Sequence, residues 1–210
     1  MERWLKILSE AYSIVLYPML MPVYGIVLFC AGVVQITPTL PKAYIWLCIG
    51  GTVVLTLVIP LLLLVYMKYK GRIASLYLDN RNERTMPYIY TVVCYGFWAY
   101  FLRGTMGLPD LMLWIALGAM VALGIVTVVN RWWKISAHLT GMGGLLGGVC
   151  SYALYYSMLP SSLLVFLLLA ALLLMYARIY LEAHTPLQVV CGMLVGLVST
   201  FVPSMIMIYA

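Results

Sequence analysis

Apolar runs of about 20 residues recur from one end of this chain to the other. A run of that length is what a helix needs to cross a hydrocarbon layer ~30 Å thick. Inside such a layer every backbone N–H and C=O must be satisfied internally, which leaves helices and closed barrels as the only solutions. Charged residues make up 9% of the 210 and hydrophobic residues 65%, against roughly 25% charged in a soluble domain. The sequence therefore predicts an all-α fold: a polytopic membrane helix bundle of six to seven transmembrane helices, forming a single integral membrane domain over 1–210. The N-terminal stretch with Arg3 and Lys6 has the charge of a signal n-region. Glu10 interrupts the stretch behind it, and the next run is long enough to span, so it reads as a mature segment.

The first span is expected over about 14–34, kinked by Pro18 and Pro22. A turn with Pro38 and Pro41 leads to a second span over about 43–67, which carries Pro60. The longest polar segment, 68–87, holds Lys68, Lys70, Arg72, Arg81 and Arg84 with Asp79 and Glu83. A short aromatic span over about 88–102, a tight turn over 103–109 and a fourth span over about 110–130 come next. Arg131-Trp132-Trp133-Lys134 has the composition of an interfacial belt. The fifth span, about 135–158, opens on Ser136-Ala137-His138 and carries Gly141, Gly143, Gly144, Gly147 and Gly148, small residues that let membrane helices approach closely. A turn at 160–162, a sixth span to about 181 and a seventh run over about 185–209 complete the chain.

Two crossings return a chain to the face it left. The segments 68–87, 131–138 and 178–188 are each separated by two spans, so all three are expected on one face, with the N-terminus there too. That gathers both histidines of the chain, His138 and His184, with Arg178, Arg84, Arg81 and Ser136. Titratable groups converging at the ends of membrane helices mark a functional site. Guanidinium forks match phosphate oxygens, imidazoles titrate near working pH, and a serine beside backbone N–H groups at a helix start adds donors to an anion. The set suits phosphoryl transfer, with one histidine attacking phosphorus and the other protonating the leaving oxygen. As bland alternatives, Arg81 and Arg84 fit loop charge at a cytoplasmic face, and Arg178 with His184 fits a snorkelling pair. The five cysteines show no metal-ligand spacing, and neither a metal nor another cofactor is expected. The formal charge of +6 points to anionic lipid in the bilayer as partner rather than nucleic acid.

Arg178-x5-His184-x3-Gln188 resembles the third motif of the type 2 phosphatidic acid phosphatase superfamily, Arg-x5-His-x3-Asp. Ser136-Ala137-His138 resembles its second, Ser-Gly-His, and the order and two-span separation agree. The resemblance implies an integral membrane lipid phosphate phosphatase. Its substrate would be a membrane lipid with a phosphate headgroup: phosphatidate, phosphatidylglycerophosphate, a polyprenyl (di)phosphate or a lipid A-type phosphate. It also implies a bacterial inner membrane setting, with His184 as the nucleophile that becomes phosphohistidine, His138 as general acid, and Arg178 and Ser136 on the phosphate. The family's first motif, Lys-x6-Arg-Pro, has no match here. Arg81 and Arg84 stand in for it on chemical grounds, ahead of Met86-Pro87. Gln188 replaces the aspartate that orients the nucleophile; Gln188 itself orients without charge, and Glu182 or Asp79 would supply one if either reaches the site.

Two further readings stay open: a lipid phosphotransferase on the same fold, and a catalytically inactive member that binds or moves an anionic lipid. Loop cations favour a cytoplasmic site, because Arg3, Lys6, Lys68, Lys70, Arg72 and Arg131 share its face, whereas Lys42 and Arg103 lie opposite. Resemblance to bacterial lipid phosphatases implies the reverse.

Overall fold

A computed structural model describes residues 2–36, 41–76, 78, 80–157 and 161–209. Asp79 and the turns with Pro38 and Pro160 lie outside the described residues. Those described form helices α1 (Glu2–Val15), α2 (Met21–Ile36), α3 (Lys42–Val53), α4 (Ile59–Tyr69), α5 (Thr85–Tyr100), α6 (Asp110–Val129), α7 (Ala137–Tyr156), α8 (Ser161–Tyr180) and α9 (Pro186–Tyr209), and no strand. Five stretches are long and apolar enough to cross a membrane: Arg3–Gly32, Lys42–Tyr69, α6, α8 and α9. This is the composition of an integral membrane protein. The helices α5 and α7 do not meet that criterion. With the π turn Phe101–Thr105 that continues it, α5 is long enough, but its tyrosines, Pro87 and Arg103 dilute its hydropathy, as the glycines and tyrosines of α7 do there.

The first span differs from the sequence expectation. Helix starts at Glu2, not near residue 14, because Lys6, Ser9, Glu10 and Ser13 recur at helical spacing and make α1 amphipathic rather than a loop. Ser9 and Ser13 are buried, and the Tyr12 hydroxyl donates to the Ala170 carbonyl at 3.0 Å, tying α1 to α8. The break falls at Tyr17-Pro18, where the residue before proline is held extended. Pro22 causes no kink, since it sits in the first turn of α2, where no N–H is needed.

Pro60 is absorbed differently. Proline crowds the carbonyl four residues back, here that of Thr56, and α3 meets α4 through one π turn, Val54–Val58. Buried Thr52 and Thr56 donate to the carbonyls of Cys48 and Thr52 at 2.8 and 2.9 Å, so the widened turn leaves neither hydroxyl orphaned. Thr52 also accepts from the indole N–H of Trp98 at 3.0 Å, which docks α5 on this helix.

The pair that positions the site is α7 with α9. They run side by side in the same direction, with Ser136 beside Gly192 and Thr140 beside Gly196, and farther along Gly143 beside Met193 and Gly147 beside Leu197. A methyl on Gly196 would overlap the Thr140 carbonyl, and one on Gly192 would stand 2.5 Å from that of Ser136. Glycine at these places lets the backbones touch, the small-x3-small geometry of membrane helix pairs. The starts of α7 and α9 are therefore held at one level, which sets His138 beside the segment that carries His184.

Candidate functional site

The three polar segments do converge. Buried Asn130, at the end of α6, donates through Nδ2 to the Arg81 carbonyl at 3.0 Å, and Arg81 Nη1 donates to the Trp132 carbonyl at 2.8 Å. These bonds fasten the 80–84 turn against the 130–132 belt. Nearby, Glu83 accepts from the Ala74 N–H at 2.8 Å and from Asn80 at 3.3 Å, holding the loop before α5. Its carboxylate is thus committed to the loop.

His184 sits in the turn between α8 and α9 and is 7% exposed. Its Nδ1 lies 3.0 Å from the Lys134 carbonyl and 3.2 Å from Gln188 Oε1. Both are acceptors, since Gln188 Oε1 is itself oriented by the Thr185 N–H at 3.2 Å. The proton therefore resides on Nδ1, and Nε2 carries the lone pair. Burial pushes the His184 imidazole down to about 4, the Arg178 guanidinium pushes the same way and Arg84 adds to it. The hydrogen bonds to Lys134 and Gln188 work against them. At neutral pH His184 is an uncharged base with one nitrogen available.

Gln188 does two things at once. Thr185 caps α9, with the Gln188 N–H reaching the Thr185 hydroxyl at 3.4 Å while the Gln188 side chain returns to the Thr185 N–H. That reciprocal pair is a capping box, with Pro186 as the first helical residue. The box needs a side chain long enough to reach back three residues, so a glutamine here is built into the helix start as well as into the imidazole's orientation.

His138 occupies the first turn of α7. Its Nε2 faces the Ser13 carbonyl at 3.2 Å, and the Tyr17 ring meets the imidazole edge-on with centroids 5.6 Å apart. A carbonyl only accepts, so Nε2 carries the proton and Nδ1 is the nitrogen left for proton transfer. Ser136 is fully buried, and its hydroxyl lies 3.5 Å from the Leu139 N–H as the N-cap of α7. Its backbone N–H donates to the Gln188 carbonyl at 3.3 Å, which ties the two helix starts together.

Arg84, Arg178, His138 and His184 line one end of a single cavity of about 180 Å³. Arg84 is 7% exposed and is held by its Nε, which donates to the Leu78 carbonyl at 2.6 Å. No acidic residue lines the cavity among the described residues. Arg81 and Ser136 are not on its wall. Arg81 latches the loops and Ser136 caps the helix, so the two differ in position from the phosphate contacts expected of them. Glu182 is exposed in a left-handed turn with φ of 53° and does not line the cavity. No group of three or more His, Cys, Asp or Glu side chains suited to a metal occurs among the described residues.

The structure adds groups the sequence did not announce. The carbonyls of Ser13 and Lys134 set the two imidazole tautomers, and a backbone carbonyl leaves no mark in residue identity. Tyr17 comes from the break before α2. The capping box had a legible signal, Thr185-x2-Gln188 ahead of an apolar run. Comparison with protein-family models, with curated proteins and with solved structures gives no match.

Proposed function

We propose that the protein is a lipid phosphate phosphohydrolase working through a phosphohistidine. The observation that carries this reading is the meeting of two guanidinium groups and two imidazoles at the polar end of an otherwise apolar cavity. Arg84 and Arg178 hold the phosphate oxygens and neutralise charge on the transferring group. The Nε2 lone pair of His184 attacks phosphorus as the bond to the lipid oxygen breaks, and His138, which takes up a proton on Nδ1 when the anionic headgroup enters, gives it to that oxygen. Water then attacks the phosphohistidine, His138 takes the water's proton, and phosphate leaves with His184 restored. Gln188 and the Lys134 carbonyl hold the attacking imidazole in register throughout. In this reading α5 and α7 cross the membrane with the five more apolar stretches, giving seven spans, the upper end of the expected range. The setting is the bacterial inner membrane, with the site on the cytoplasmic face that the loop cations favour.

The neutral Gln188 favours a second reading, a catalytically silent member that holds an anionic lipid. Phosphate release by the purified protein separates the two. The panel is phosphatidate, phosphatidylglycerophosphate, polyprenyl (di)phosphate and a lipid A-type phosphate. We expect release from at least one, lost in His184→Ala. Release no greater than in that variant across the panel sinks the hydrolase reading, and a product that appears only with an added alcohol acceptor reassigns the protein as a phosphotransferase.

A further inference from the structure

The cavity does not stop at the histidines. We infer that it is a lane for one linear alkyl or isoprenoid tail, about 16 carbons deep, closed at the bottom by Trp98, Leu102 and Tyr152. This deepens the lipid phosphate reading, on which it rests, by naming the class of tail.

Four helices each give the cavity one stripe. On α6 the wall residues are Met112, Ile115, Ala119, Ala122 and Val126, and on α7 they are Gly141, Leu145, Gly148 and Tyr152. Spacings of three and four place each set along one helix face. Pro22, Ile26 and Phe29 of α2 and Thr91, Tyr95 and Trp98 of α5 close the other sides. Beyond the polar end the wall is almost wholly apolar, as a hydrocarbon requires.

Length and width are both set by the helices. About four turns of α7 separate His138 from Tyr152, roughly 21 Å at ~1.5 Å per residue. An extended chain of ~1.5 Å bonds at ~111° advances about 1.25 Å per carbon, so the lane takes about 16 carbons. A volume of about 180 Å³, taken as room for the centre of a water molecule and spread over that length, gives a path of about 1.7 Å radius, and the wall stands roughly 1.4 Å beyond it. A carbon chain has a radius of about 2 Å, so a wall at about 3 Å admits one chain. Two chains abreast need about 4 Å. Glycines keep the path open, because side chains at Gly141 and Gly148 would occupy wall space against Met21 and Ile115. The floor is fixed by close packing, with the Tyr152 ring seated in the notch left by Gly32, where a methyl would overlap it.

The experiment uses the full chain in nanodiscs with hexadecyl phosphate bearing a diazirine on its terminal carbon. After irradiation, labelled residues are mapped by mass spectrometry. The label is expected on Trp98, Leu102 or Tyr152, and Ala119→Leu, which blocks the lane halfway, should cut floor labelling at least tenfold. Tyr152→Ala is the second variant: it opens the floor, and a twenty-carbon probe that labels the wild-type floor poorly should then label residues below it. Label on the outward residues of α8, such as Leu169 or Leu172, or no label in the chain, overturns the inference, as does floor labelling unchanged by Ala119→Leu. Floor labelling without phosphate release from any lipid leaves the lane standing and removes the phosphatase reading.

Discussion

Replacing Gln188 with glutamate changes charge and little else. The side chains have the same length, so the capping box with Thr185 is kept and an anionic oxygen takes the place of Oε1, 3.2 Å from His184 Nδ1. Charge centres about 4 Å apart attract by about 4 kcal/mol at an effective dielectric constant of ~20. Because residue 188 is half-buried, we discount this to about 3 kcal/mol, or about 2 pH units. His184 starts pushed down to about 4, so in Gln188→Glu it should titrate near 6. The sign in the wild type is that of a histidine lowered on folding. Its neutral form is the native one, stability from this site is full above the ordinary histidine value of ~6.5, and it falls by up to about 3 kcal/mol as pH drops toward 4. The variant should lose most of that acid sensitivity, while the acid limb of kcat/KM moves up by about 2 pH units. Nitrogen-15 chemical shifts of the histidines against pH read the titration without needing turnover, and phosphate release against pH reads the limb. A His184 midpoint that moves by less than half a unit refutes the argument, because Gln188 would then not be the group that faces the imidazole.

His138→Ala should cut release from an alkyl phosphate at least ~100-fold, and much less with a p-nitrophenyl ester, whose leaving group needs no proton. An equal loss on both substrates removes the general-acid role. Arg178→Lys keeps the charge but not the planar fork, and should lower kcat/KM by one to two orders of magnitude; unchanged turnover would make Arg178 an anchor of α8. Gly196→Ala drives a methyl into the Thr140 carbonyl and should cost about 1–3 kcal/mol in a thermal denaturation series, with a larger loss of activity because the α7 and α9 starts shift. Gly124→Ala, where a methyl meets nothing, is the control, and equal behaviour of the two would refute close packing as the reason. Cysteine introduced at Ser75 and at Thr105, in a background without native cysteines, reports sidedness: an impermeant reagent in intact cells should reach position 105 and not 75.

Apolar runs of spanning length made the helical class and most boundaries legible before any coordinate, since hydrocarbon leaves a backbone so few choices. The α6, α8 and α9 limits fall within about two residues of the expected runs. Parity of crossings also put the segments of Arg84, His138, Arg178 and His184 on one face without any knowledge of packing, and these are the four side chains that meet. Only tertiary contact separated Arg84, on the cavity wall, from Arg81, whose guanidinium donates to the Trp132 carbonyl and lies off that wall. Local pattern gives both the same loop and charge. Ser136 looked like an anion donor and is a buried cap, a difference decided by where α9 lies. The tautomers of both histidines depend on carbonyls of Ser13 and Lys134, and a carbonyl is common to every residue, so no sequence pattern encodes it. The apolar lane is likewise invisible in the chain, because a stripe that lines a cavity and a stripe that fills a core have the same periodicity until neighbouring helices are placed.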